Sequence, residues 1–110
     1  MAKSKSRKTS PLQRSKKALE EQGYTVAIVE RWNPWAKVRQ DLFGIIDLLC
    51  VKQGKTLGVQ VTTMNHKQPH IGKMTAHPNL YRLLDAKWEI ELHSWRELKD
   101  EGWQVDIFRF

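Results

Sequence analysis

No apolar run in this 110-residue chain approaches the ~18 residues a bilayer-spanning helix needs, so no membrane span is expected. The basic N-terminus leads into no apolar stretch, so no secretory signal peptide is expected either. There is one cysteine, Cys50, which excludes an internal disulfide and gives no reason to expect an oxidising compartment. Its setting in LLCV reads as a buried core thiol, and the expected location is the cytoplasm. No glycine-rich phosphate loop and no Ser/His/Asp arrangement is visible. His66, His70 and His77 have no cysteine or carboxylate at structural-zinc spacing, which argues against a zinc site.

Acid is missing from the first 17 residues, which carry Lys3, Lys5, Arg7, Lys8, Arg14, Lys16 and Lys17. Those are seven of the 19 basic residues, leaving 12 against 12 acidic ones, so the net charge of +7 belongs to this segment. Residues 1–9 lack the apolar content to fold alone and read as a disordered basic arm. Such an arm suits phosphates, whose counterions it would displace in a salt-sensitive, sequence-independent way. Within the formally neutral remainder, residues 31–73 hold Arg31, Lys37, Arg39, Lys52, Lys55, Lys67 and Lys73 against Asp41 and Asp47. Residues 74–110 lean acidic, so one face is expected to be basic and the other acidic.

What is present beyond charge is enough apolar residue, 40% with five Trp, for one core in a single domain over 10–110. Ser10-Pro11 opens a helix that carries Leu12, Ser15 and Leu19 on one stripe and stops at Gly23. Within it, Glu20 and Glu21 are expected to pair with Lys16 or Lys17. YTVAIVERW (24–32) reads as a strand and NPWAKVRQDLFG (33–44) as a connection, and Trp32 and Trp35, which flank Asn33-Pro34, are expected to be buried rather than to stack on bases. IIDLLCV (45–51) and TLGVQVTT (56–63), joined by QGK, read as a hairpin. Met64–Thr75 reads as a polar mobile segment, and Pro78 opens a helix through Leu80, Leu83 and Leu84. WEIELHSW (88–95) alternates, with Trp88, Ile90 and Leu92 inward and Glu89, Glu91 and His93 outward. WRELKDEG reads as a helical turn or loop and WQVDIFRF as a last strand. The fold class is α/β, a mixed central sheet of about five strands flanked by helices.

Asp47 stands in an otherwise apolar strand, where a carboxylate must be paired, hydrogen-bonded, protonated or metal-bound. On the next strand Gly58, Gln60 and Thr62 share one face, and pairing of the hairpin puts Asp47 beside Gln60 and Thr62.

This order of elements, with Asp47 in DLFGIIDLLCV and the triplet Gln60-Val61-Thr62 in LGVQVTT, resembles the PD-(D/E)XK nuclease superfamily. That superfamily includes restriction endonucleases, Holliday-junction resolvases and small phage nucleases. The similar stretch runs from about Gln13 to Thr63 and looks like a largely phage and bacterial branch, which would place the protein in a host cytoplasm. The resemblance implies a restriction-endonuclease-like fold, Mg²⁺ or Mn²⁺ as cofactor and DNA as partner. It makes Asp47 a metal ligand, the Val61 carbonyl a further ligand, and Gln60 and Thr62 the occupants of positions usually held by an acid and a lysine. A first-helix acid of the family would correspond to Gln13. Gln60 offers a neutral oxygen where Mg²⁺ prefers anionic ones, and Thr62 supplies no charge. Asp41, six residues before Asp47, or Glu30 would then compensate as carboxylates, and Lys67 or Lys73 as the cation; otherwise Asp41 would pair with Arg39 or Arg31.

The function expected is a metal-dependent DNA endonuclease, with branched, Holliday-junction-like DNA an attractive substrate and a homodimer the form that would cut two strands. Lys3, Lys5, Arg7, Lys8, Arg31, Lys37, Arg39, Lys67 and Lys73 would contact DNA. Two alternatives stand beside it: a nuclease scaffold that binds nucleic acid without cutting, and an interaction protein working through its acidic C-terminal face.

Overall fold

Helix α1 (Pro11–Glu21) starts and stops on the expected signals. In the computed structural model, which describes residues 9–110, Ser10 Oγ accepts the Gln13 N–H at 3.2 Å with Pro11 in the first turn. Gly23 takes φ +97° while the Tyr24 N–H returns to the Leu19 carbonyl at 3.1 Å. Lys16 and Glu20 form the expected i,i+4 pair at 2.8 Å. Of the basic arm, only Thr9 lies within the described residues.

The central sheet comprises β1 (Thr25–Ile28), β4 (Leu48–Lys52), β5 (Lys55–Thr63), β6 (Glu89–Leu98) and β7 (Gly102–Arg109), in the order β1-β4-β5-β6-β7. β5 and β6 are parallel and the other pairings antiparallel, so the sheet is mixed. The β5–β6 crossover holds a 3₁₀ turn (Met64–His66) and helices α2 (Lys67–Thr75) and α3 (Pro78–Asp85). A separate hairpin of β2 (Arg31–Asn33) and β3 (Val38–Gln40) stands between β1 and β4. This is the α/β fold with a five-stranded mixed sheet that the sequence led us to expect.

Both faces of the sheet are covered. α1 packs Leu19 against Leu48, Cys50, Leu57 and Val59, while Met74 of α2 and Leu80 and Leu83 of α3 pack with Ile45, Ile46, Ile90 and Leu92. Each such side chain contributes roughly 1.5–3 kcal/mol when fully buried. Cys50 is in the core as expected, and burial pushes its thiol up to about 12. No helix among the described residues is long and apolar enough to cross a membrane.

Several local expectations need correction. The strand read over 24–32 ends at Ile28, and the chain restarts as the separate hairpin, so 33–44 is not a plain connection. Met64–Thr75 is helical rather than mobile. β6 runs on to Leu98, so WRELKDEG is half strand. Trp32 and Trp35 are exposed rather than buried.

Glu91 and His93 alternate with Ile90 and Leu92 as read, but they point into a second buried layer and not into water. Ser15 of α1 meets them there. The Trp95 Nε1–H donates to Ser15 Oγ at 2.8 Å, and Ser15 Oγ lies 2.9 Å from His93 Nδ1. His93 Nε2 lies 3.0 Å from Glu91 Oε1, and the Arg109 Nε–H donates to Glu91 Oε2 at 2.9 Å. An acceptor-only carboxylate places the imidazole proton on Nε2, which leaves Nδ1 to accept the Ser15 hydroxyl proton. Burial alone would raise the Glu91 carboxyl; His93 and Arg109 more than offset it and hold it below its ordinary value. A Ser/His/acid arrangement therefore exists where none was visible in the sequence. Ser15 is 0% exposed and already engaged on both sides, so the chain is a tie between helix and sheet, closed to substrate.

Candidate metal centre and its groove

Asp47 is held from both sides by backbone. Its carbonyl accepts the Val29 N–H at 2.8 Å and its N–H donates to the Val59 carbonyl at 2.9 Å, which ties the end of β1 to β5 through this residue. Ile46 and Leu48, both fully buried, flank it, and Asp47 itself is 3% exposed. Its Oδ2 accepts from Gln60 Nε2 at 2.7 Å and from the Val61 N–H at 2.9 Å. Its Oδ1 is buried with no hydrogen-bond partner among the described residues.

A tight turn returns the chain from Asp41 to Asp47. The Leu42 N–H donates to the Ile46 carbonyl at 2.9 Å, the Ile46 N–H to the Leu42 carbonyl at 3.0 Å, and the Gly44 N–H to the Asp41 carbonyl at 2.9 Å. Phe43 and Gly44 adopt φ +56° and +83° to close it. A Cβ on Gly44 would lie 2.6 Å from His77 Nε2. Gly44→Ala is therefore expected to cost roughly 1–2 kcal/mol for the left-handed backbone, before any clash, in a chemical denaturation titration. An unchanged midpoint would mean that this turn does not constrain Asp41.

The result is a cluster of Glu30, Asp41 and Asp47, in which one carboxylate oxygen from each lies within 4.8 Å of the other two. Burial first, then a hydrogen bond with Asp41 and the charges of Asp41 and Glu30, push the Asp47 carboxyl up to about 8 against the opposing hydrogen bond from Val61. Three carboxylates this close need either a shared proton or a cation. Arg39 offers only partial compensation, reaching Glu30 at 3.4 Å from a side chain that is largely exposed. Hard anionic oxygens, one of them a buried atom without a donor, form a donor set suited to Mg²⁺ or Mn²⁺.

The cluster opens into a groove of about 420 Å³ lined by Glu30, Arg39, Asp47, Val61, Thr62, Thr63 and His66 and by Ser10, Pro11 and Leu12 at the start of α1. The positive end of the helix thus faces the groove. A smaller recess on the other side joins Asp41 and Gln60 to His70 and Lys73 of α2.

The structure places Asp47, Gln60 and Asp41 together and puts Val61 and Thr62 on the groove wall. Asp41 does not pair with Arg39 or Arg31; it turns to Asp47, and Arg39 takes Glu30 instead. Gln60 is a buttress donating to Asp47, and Glu30 supplies the third carboxylate. Lys67 is engaged by Asp106 of β7, so it is not the replacement cation, whereas Lys73 does reach the cluster's side. Gln13 is exposed and does not line the groove. Arg31, Lys37 and Arg39 lie on the β2–β3 hairpin, while Lys3, Lys5, Arg7 and Lys8 lie outside the described residues. His70 was weighed only against zinc spacing; its place beside Asp41 depends on a helix that the sequence does not announce. No family model, no curated protein and no solved structure matches the chain.

Proposed function

We propose that the protein is a divalent-metal-dependent DNA endonuclease of the PD-(D/E)XK type. The observation that carries this reading is the Glu30–Asp41–Asp47 cluster, whose buried Asp47 Oδ1 receives no N–H donor and faces other carboxylates, beside a groove that Arg39 and the start of α1 also line. Asp47, Asp41 and Glu30 would hold Mg²⁺ or Mn²⁺, with the Val61 carbonyl as a further ligand by the superfamily resemblance. When bound, the metal supplies Lewis-acid polarisation of a phosphodiester and a more acidic water. Gln60 fixes the Asp47 carboxylate through Oδ2 and leaves Oδ1 to face its carboxylate neighbours. The Thr62 hydroxyl on the groove wall orients water, while Lys73 and His70 bring positive or proton-donating groups beside Asp41. The start of α1, Arg39 and the arm attract the phosphate backbone. A homodimer would present two such grooves, which suits branched DNA.

Incubation with supercoiled plasmid and a four-way junction in Mg²⁺ or Mn²⁺ tests this. Cleavage is expected, with Glu30→Gln and Asp41→Asn each lowering it by roughly 10- to 100-fold or more at fixed metal. Cleavage that survives Asp47→Ala would place the chemistry elsewhere. A second reading, DNA binding without cutting, draws on Thr62, which brings no charge to the triplet; tight binding with no cleavage in either metal would select it.

A further inference from the structure

We infer that the β2–β3 hairpin is a stacking finger that selects DNA with unstacked bases, such as branch points, over intact duplex; this rests on the nuclease reading and names its substrate class. Neither strand joins the central sheet, and Trp35 at the tip is 94% exposed. An indole so placed contributes nothing to the core. Its backbone is nonetheless fixed. Pro34 restricts φ, and Asn33 Oδ1 accepts the N–H groups of Trp35 at 2.9 Å and Ala36 at 3.1 Å. Lys37 closes the loop with φ +55° and an N–H bond to the Asn33 carbonyl at 2.7 Å. The ring is therefore presented by a rigid loop.

Charge identifies the occupant. Residues 31–40 contain Arg31, Lys37 and Arg39 and no acid, so the partner is anionic. Trp32 stands opposite Arg39 on the same hairpin face and is also exposed, and Arg39 lines the groove. Cations interleaved with exposed indoles match a phosphate backbone that offers base faces for stacking. Intact duplex keeps those faces covered, whereas a junction or frayed end exposes them. The finger is continuous with the chemistry, because the hairpin is bracketed by Glu30 and Asp41, two of the three clustered carboxylates.

The test is binding of the full chain in EDTA to a labelled four-way junction, a duplex of the same sequence and its single strand. The wild type is expected to prefer the junction and single strand. Trp35→Ala should weaken those two by roughly tenfold while leaving duplex affinity unchanged, and Trp35→Phe should retain most of the preference. Equal loss on all three DNAs, no loss, or no binding at low salt would overturn the inference. So would a Trp35→Ala change in sedimentation without a change in DNA binding, which would assign the tip to a second copy of the chain. Metal-free binding separates the two claims. A Trp35-dependent preference without any cleavage sinks the nuclease reading and leaves the finger, and junction cleavage indifferent to Trp35 does the reverse.

Discussion

In EDTA, the thermal midpoint of the protein is expected to fall as pH rises from about 4 to about 8, with Asp47→Asn abolishing most of that fall. The sign follows from the Asp47 carboxyl, raised from 3.8 to about 8 in the folded protein. Between those values the unfolded chain has lost this proton and the folded chain keeps it. Stability is thus fully present below the unfolded value and is lost as pH climbs through the folded one, by up to roughly 1.4 kcal/mol per pH unit. Above pH 8 the penalty is complete, because the buried Asp47 carboxyl is then charged beside Asp41 and Glu30. Mg²⁺ or Mn²⁺ should reverse it, since a cation favours the deprotonated form. Asp47→Asn keeps the shape and can still accept from Val61, so at pH 8 it should melt higher than the metal-free wild type while losing cleavage altogether. A pH-independent midpoint in EDTA, or no metal-induced rise at pH 8, would remove the basis for a metal centre here.

Ser15→Ala is the second large effect. The hydroxyl serves Trp95 and His93 together, both within the buried layer. Its loss strands an indole N–H and an imidazole nitrogen, and the expected destabilisation is roughly 2–4 kcal/mol by urea unfolding. Arg109→Ala touches the same network from its exposed end and leaves Glu91 bonded to His93, so it should cost about 1 kcal/mol or less. Near-UV circular dichroism gives a second readout, since Trp95 loses its fixed partner only in the serine variant. Equal losses in the two variants would mean that the tie is not organised through Ser15.

The parts of the fold that could be read from sequence are those where one residue type dictates local geometry. Ser10-Pro11 and Gly23 bound α1, QGK joins β4 to β5, and Pro78 opens α3. The pairing of Asp47 with Gln60 followed from strand alternation together with the hairpin that QGK closes. Helix α2 was hidden because KQPHIGKMT contains Pro69 and Gly72 and buries only Met74, so no apolar stripe marks it. The polar side of β6 was misjudged because alternation reports two faces without saying whether a helix covers the second. The carboxylate cluster depended on a turn that puts Phe43 in the left-handed region, where sequence gives no cue for an aromatic residue. The exposed tryptophans follow from the hairpin's isolation from the sheet, a tertiary fact that hydrophobicity does not encode.

The tie from Ser15 to His93 also orders the events of folding. Residue 15 leaves the ribosome long before residues 91, 93 and 95, and the arginine that completes the network is Arg109. Helix α1 can coil early, yet its polar stripe has nothing to bond with until β6 has paired in parallel with β5 across a crossover of two helices. Such non-local closure is slow compared with helix formation. Helix α1 can therefore rest its apolar side on β4 and β5 before its polar ties to β6 are able to form, and the seat of the groove's helical wall is locked only when the sheet closes.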